Sequence, residues 1–414
     1  MEITTKFETV DIQKLIPYAR NARTHSKEQI LQLRGSLREF GFVNPVIVDK
    51  DLNVIAGHGR ILAAKEEGMT EVPCVFAEHL TEAQKRAYVI ADNRLALNAG
   101  WDAEMLSVEL ADLQVADFDI SILGFDDAEL NKLMGGMDDV KDDDFDVEAE
   151  LQKPAVSRLG DVWILGRHRL VCGDSTKKDI FDVLMDGKAA NLVVTDPPYN
   201  VNYEGTAGKI KNDNMDNHSF YEFLLASFTN IEAAMAQDAS IYVFHADTEG
   251  LNFRKAFVDA GFYLSGTCIW KKQSLVLGRS PYQWQHEPVL FGWKKKGKHL
   301  WYSDRKQTTI WEFEKPKKNG DHPTMKPVAL VAYPIINSSF TNCIVLDPFG
   351  GSGSTLIACE QTDRICCTIE LDEKYCDVIV KRYMEQVGTS DNVLLIREGS
   401  EFRYHELPGV NADE

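Results

Sequence analysis

The chain has 414 residues, 44% apolar and 26% charged, values ordinary for a globular protein of two or three domains. Its formal net charge of -19 excludes a protein that coats nucleic acid over its whole surface. There is no long apolar run, and the opening MEITTKFETV lacks the basic and apolar regions of a secretory signal, so a cytoplasmic protein with no membrane partner is expected.

The first predicted element is a helix. Ser26 to Phe40 places Ile30, Leu33, Leu37 and Phe40 on one face behind a serine cap. Residues 45–48 and 53–56 read as short strands, and the second runs into Gly57-His58-Gly59-Arg60 and a helix, ILAAKEEG. Further helices are expected over 81–99 and 126–134. Asp138 to Glu150 then carries eight acids and one lysine, just behind Gly135-Gly136. A run so charged and so poor in apolar residues predicts a solvated linker. The expected organisation is therefore a front domain over 1–135, an acidic linker over 136–155, a larger domain over 156–400 and a tail over 401–414.

The larger domain alternates strands with helices. Strands are predicted at 161–165, 191–195, 240–244, 265–270, 288–293, 343–347 and 365–370. Helices are predicted at 219–237, 248–260, 328–338, 354–361 and 373–386. The alternation implies an α/β fold, a mostly parallel Rossmann-like sheet with helices on both faces. The eight cysteines include no C-x-x-C pair, so neither a metal site nor a disulfide framework is expected.

Two stretches carry chemistry. Val193 to Asn200 reads VVTDPPYN, a β-branched strand that ends in a carboxylate, two prolines and an aromatic ring. Two prolines remove two backbone donors and fix two φ angles, so the corner is rigid. Cys343 to Glu360 reads CIVLDPFGGSGSTLIACE, an apolar strand, a glycine-rich turn and a helix. The next strand, ICCTIE, ends at Glu370, seventeen residues after Gly353, a distance suited to ribose hydroxyls. The turn lacks the further glycine of a dinucleotide site. Asp347 beside it suits a positive group better than a phosphate. S-adenosylmethionine, with a ribose, an ammonium, a sulfonium and no phosphate, meets both demands. Upstream, RLVCGDS places Asp174 at the end of another apolar run, where it can accept from an adenine amino group.

The pair TDPPY and LDPFGGSGST, in that order, resembles the amino-methylating DNA methyltransferases of the β arrangement, over about residues 158–386. HPTMKP at 322–327 resembles the segment that precedes the helix leading into the glycine-rich strand of that family. The resemblance implies S-adenosylmethionine as cofactor. Asp347, Phe349, Gly351 and Gly353 then surround its methionine part, Glu370 takes the ribose, Asp174 the adenine, and Thr324 and Lys326 the carboxylate region. It implies Asp196, Pro197, Pro198 and Tyr199 as the catalytic corner. There Asp196 and the Pro197 carbonyl accept the N–H bonds of a flipped base's amino group while Tyr199 stacks on the base. In the family this motif set is commoner among adenine-N6 than cytosine-N4 enzymes, so adenine is the expected target.

Between the motifs, residues 264–330 hold thirteen Lys or Arg against five Asp or Glu, interleaved with aromatics. Such a mixture suggests a nucleic-acid surface, and 271–321 matches by position the family's target-recognition insertion, so the resemblance implies double-stranded DNA as the partner. Residues 208–214, GKIKNDN, read as a loop able to close over the base. Residues 6–100 resemble the ParB N-terminal-like fold, a small α+β domain shared with sulfiredoxin-type nucleotide binders. There a turn matching Gly57 to Arg60 holds triphosphate in the family, though His58 and Gly59 replace its usual charged pair. DNA docking or pairing with a second copy is the other expectation for this domain. The rival readings are a ParB-like DNA-binding regulator with a vestigial methyltransferase half, and an enzyme acting on RNA or on a protein glutamine amide.

Overall fold

The computed structural model describes residues 6–407, apart from 19–24, 97, 117, 127–128, 131–132, 134–136, 138–139, 202–203, 206–207, 210–212, 278–280, 304–305 and 315–324. It divides into two compact units, Met1–Leu130 and Asn131–Glu414. The helix expected over 126–134 falls largely outside the described residues.

The front unit is a four-stranded sheet, in the order β1 (Phe7–Asp11), β4 (Glu71–Phe76), β2 (Val46–Val48), β3 (Val54–Ala56). Its core is Val10, Ile12, Val46, Val48, Val54, Val72 and Phe76. The helix Lys27–Phe40 starts at Ser26, whose side chain accepts from the Gln29 amide, and stops at Gly41, with φ of 72°. Arg34 and Arg38 of this helix converge on Glu67 and hold the carboxylate at about 2, well below the usual range.

The second unit is built on an eleven-stranded sheet. Five strands form its parallel centre, in the order β10 (Met235–Phe244), β7 (Ala190–Thr195), β14 (Ile344–Asp347), β15 (Ile365–Glu370), β6 (His168–Cys172). The hairpin β11 (Phe262–Val276) and β12 (Trp284–Lys294) adds antiparallel to β10, with β13 (Ile310–Glu312) outermost. On the other edge lie β5 (Val162–Leu165), β16 (Val393–Arg397) and β17 (Ser400–Arg403).

Period-two burial explains the layers. Leu192 and Val194 face a core with the helices Val328–Ser338, Ser354–Gln361 and Glu373–Val387. Val193 faces the opposite core, with the helices Lys178–Met185, Asn217–Ala234 and Gly250–Asp259. Covering both faces is what a parallel sheet requires. All eight cysteines are free and buried. No helix among the described residues is long and apolar enough to cross a membrane.

The acidic stretch departs from its expected form. Its described part is packed on the second unit and includes a short helix, Val147–Leu151. Phe145, Val147 and Leu151 are buried against Val378, and Asp143 is paired with Arg382. Three apolar side chains set among the acids give the run a face to bury. A buried arginine then takes up part of its charge.

Candidate functional site

Four neighbouring parallel strands end side by side, and each delivers a carboxylate. β7 leads into Asp196, β14 ends at Asp347, β15 ends at Glu370, and β6 leads through Gly173 to Asp174. From β14 the chain crosses to β15, whereas from β7 it crosses to β10 on the other side. The direction of winding therefore reverses between β7 and β14. Outside such a reversal an open α/β sheet has its binding crevice.

On the β7 side, Asp196 sits in a network of half-buried charges. Its Oδ1 accepts from the Tyr199 hydroxyl at 2.5 Å and its Oδ2 from Lys326 Nζ at 2.5 Å. Lys326 Nζ also lies 3.0 Å from the Tyr199 oxygen and 3.3 Å from Glu287 Oε2. Glu287 in turn pairs with Lys272 at 2.5 Å. Burial alone would raise the Glu287 carboxyl, but Lys326 and Lys272 overcome it and hold the group at about 2. Burial opposes the charge on Lys326, yet Asp196 and Glu287 shift it upward on balance. Tyr199 is pushed well above its ordinary value by burial, reinforced by the same two carboxylates, so it is a fixed neutral donor. Its ring packs edge-on against Phe253 at 6.5 Å. Pro197 is buried, while Pro198 is partly exposed.

Immediately after this corner, Asn200 has φ of 58°, a conformation asparagine tolerates better than most residues. Its Oδ1 accepts from the Met215 amide at 2.6 Å and its Nδ2 donates to the Met215 carbonyl. Asn200 thus ties together both ends of the loop that holds GKIKNDN. The described part of that loop includes the strand pair β8 (Glu204–Gly205) and β9 (Gly208–Lys209).

On the β14 side, Asp347 is 3% exposed and both its oxygens are engaged. Oδ1 accepts from Thr195 Oγ1 at 2.8 Å, Oδ2 from Thr355 Oγ1 at 2.6 Å. The residue therefore clamps β7, β14 and the helix Ser354–Gln361 together. Phe349 packs on Phe223, with ring centres 5.9 Å apart. Gly351 and Gly353 have φ of 51° and 86°. Gly350 passes so close to β15 that a Cβ would stand 2.6 Å from Thr368 Oγ1. Glu370 accepts from the Gly351 and Asp372 amides, each at 2.8 Å, so the ribose candidate also shapes the turn. Asp174 caps its own turn through Thr176.

Burial pushes both Asp347 and Glu370 up to about 7, against the hydrogen bonds each accepts. The folded chain then keeps protons that the unfolded chain releases near pH 4. Stability from these two groups is full below that pH and is lost as pH rises toward 7. Asp347→Asn should flatten the fall between pH 4 and pH 7, a difference on the order of a few kcal/mol in ΔG of unfolding. Urea titrations of both proteins across that range check it.

The donor set fits one class of nucleoside cofactor. Asp347, Glu370 and Asp174 end adjacent strands, and two cations that reach this region are already paired, Lys326 with Asp196 and Glu287 and Arg382 with Asp143. A pyrophosphate would meet carboxylates here, whereas a ribose with a cationic tail meets acceptors. S-adenosylmethionine answers that description. Lys326, expected at the cofactor carboxylate, has its ammonium turned onto Asp196, where two half-buried carboxylates face it. Thr324 lies outside the described residues.

The insertion divides into core and surface. Trp270 and Trp311 are buried, and Trp293 stacks on His299 at 4.2 Å. Leu277 and Tyr282, near the hairpin tip, are 85% and 89% exposed. In the front unit, Gly57 has φ of 100° at the head of the helix His58–Glu66. His58 Nε2 accepts from the Tyr18 amide, and Arg60 Nη2 donates to the Pro45 carbonyl at 3.2 Å.

Comparisons with known proteins agree with this arrangement. The DNA methylase family model matches residues 190–381, the ParB N-terminal domain model residues 2–93, and the ParB-methyltransferase HTH domain model residues 104–159. The ParB-like nuclease domain-containing protein YnaK of Escherichia coli K12 is 49% identical over 75 residues, 18% of this chain and 86% of YnaK. Type II methyltransferase M.HpaI of Haemophilus parainfluenzae is 25% identical over 250 residues, 54% of this chain and 77% of M.HpaI. The crystal structure of the M1.HpyAVI–SAM complex aligns with a TM-score of 0.40 at 23% identity, over 51% of this chain and 98% of that one. The chain therefore belongs to the ParB-like family through its front part and carries behind it a DNA methylase domain of the N6/N4 amino type.

Proposed function

We propose that the crevice transfers a methyl group from S-adenosylmethionine to the exocyclic amine of a flipped DNA base, adenine N6 in the first place and cytosine N4 as the alternative. The observation that carries this reading is the adjacency of β7 and β14. It sets the Asp-Pro-Pro-Tyr corner directly beside the glycine turn.

An exocyclic amine is a poor nucleophile because its lone pair is delocalised into the ring. Asp196, with the Pro197 carbonyl, accepts its N–H bonds and turns the lone pair toward the cofactor side. Tyr199, held neutral, keeps Asp196 in place and offers its ring to the base; aromatic stacking contributes about 1–3 kcal/mol toward the unstacking cost. For the amine to reach Asp196, Lys326 must give up its bond there, and Glu287 is the partner already 3.3 Å away. When bound, S-adenosylmethionine supplies an electrophilic methyl carbon and a neutral thioether as leaving group. Asp196 is then the acceptor placed to take the proton that the methylated nitrogen sheds. Proximity and orientation supply most of the acceleration.

Leu277 and Tyr282 extend the basic hairpin toward DNA, and the front unit serves docking or pairing with a second copy. A nucleoside triphosphate at Gly57–Arg60 is tested by direct titration.

The test of the reaction is transfer of labelled methyl from S-adenosylmethionine to mixed-sequence duplex DNA, followed by nucleoside analysis. Methyladenine is the expected product. Methylcytosine would replace the base and keep the mechanism, whereas transfer only to RNA or protein would overturn the substrate.

A further inference from the structure

The segment leading into the sheet reaches the cofactor turn through two aspartates. Asp142 Oδ1 accepts from the Val328 amide at 2.6 Å, two residues after Lys326. Asp143 Oδ2 accepts from Arg382 Nε at 2.8 Å. Arg382 is 2% exposed, and its Nη1 donates to the Ser352 carbonyl at 2.9 Å and lies 3.3 Å from Ser354 Oγ. Ser354 Oγ in turn donates to the Lys326 carbonyl at 2.8 Å. Gln361 closes the far end by bonding both the amide and the carbonyl of Lys141.

The glycine turn is thus gripped on two sides. Glu370 holds the Gly351 amide from the crevice side, and Arg382 holds Ser352 and Ser354 from behind. A buried guanidinium needs a carboxylate to stay in register, since an unpaired buried charge is strongly destabilising. Asp143 is that carboxylate. The backbone at Lys326 hangs on the same set through Ser354 and through the Val328 amide.

We infer that Asp142 and Asp143 are positioning residues of the cofactor site, setting the glycine turn and the Lys326 backbone from the acidic segment. The inference rests on the crevice being the S-adenosylmethionine site.

A matched control exists on the same helix. Asp377 holds the Val156 and Ser157 amides at 2.7 and 3.0 Å, anchoring the next stretch of chain without a bond to the turn. The experiment is equilibrium titration of the full chain with labelled S-adenosylmethionine, with thermal unfolding measured alongside. Asp143→Asn should weaken binding about tenfold, Asp142→Asn about threefold, and Asp143→Glu should restore most of the loss. With cofactor saturating, the loss of transfer by Asp143→Asn should be clearly smaller than its loss of cofactor affinity. Asp377→Asn should lower Tm without changing cofactor affinity. Equal affinity losses in Asp143→Asn and Asp377→Asn, or none in either aspartate variant of the segment, would overturn the inference. A wild type that binds no S-adenosylmethionine would instead remove the reading of the crevice, and this inference with it.

Discussion

Replacing Asp196 with alanine should lower methyl transfer by about 10²–10³-fold while leaving cofactor affinity within about twofold. In the proposed reaction the loss falls on the chemical step, because Asp196 would be the carboxylate that accepts from the amine. The cofactor turn hangs on other residues: Asp347 is held by Thr195 and Thr355, and Glu370 by the Gly351 and Asp372 amides. The variant should also fold, since Lys326 keeps Glu287 as its counter-ion at 3.3 Å. Single-turnover transfer at saturating cofactor, with cofactor binding measured separately, decides the matter. A variant that transfers methyl at the wild-type rate would move the catalytic role elsewhere.

Replacing Glu370 with alanine should weaken S-adenosylmethionine binding by on the order of 10²-fold or more, through two losses. Two backbone amides lose their acceptor, at a cost of about 1–3 kcal/mol each, and the ribose loses its own. Glu370→Gln retains one oxygen and should lose less. The pair also differs in pH response. Burial sets the Glu370 carboxyl near 7, so the ionised acceptor that the ribose needs grows in as pH rises through that value. Wild-type affinity should therefore tighten between pH 6 and pH 8, while the Glu370→Gln variant should change much less. Titrations at three pH values test both parts. A glutamine variant with the wild-type affinity and slope would mean that the ribose sits elsewhere.

Much of this geometry was legible before any fold was known. The helices expected at 328–338 and 354–361 stand at those limits, because an apolar face and a proline or glycine bound each of them. Asp196, Asp347, Glu370 and Asp174 could be picked out because each closes an apolar run, and strand ends gather on one side of a parallel sheet. Other features were hidden. β11 and β12 run past their expected limits: Lys271 pairs with His286 and Val276 with Trp284, and across the register shift between them the Gln285 side chain donates to the Lys272 and Gln273 carbonyls, polar residues that give no apolar signal. Glu287 directly precedes the apolar run of β12 and reads like any polar residue; its partners Tyr199 and Lys326 lie 88 residues before it and 39 after it. The acidic run shows its charge at once, but Arg382, which anchors it, comes 239 residues after Asp143.

The crevice depends on which strands are neighbours, not on which comes first along the chain. β7 and β14 meet through Leu192 with Val345 and Val193 with Leu346, although helices, a hairpin and a basic insertion separate them in sequence. A circular permutant that opened the exposed hairpin tip near Tyr282, with the original termini joined by a flexible bridge, would encode the glycine turn before the Asp-Pro-Pro-Tyr corner. The same two strand ends would still face each other across the same gap. Gene order in this fold is therefore free to change where the order of strands in the sheet is not.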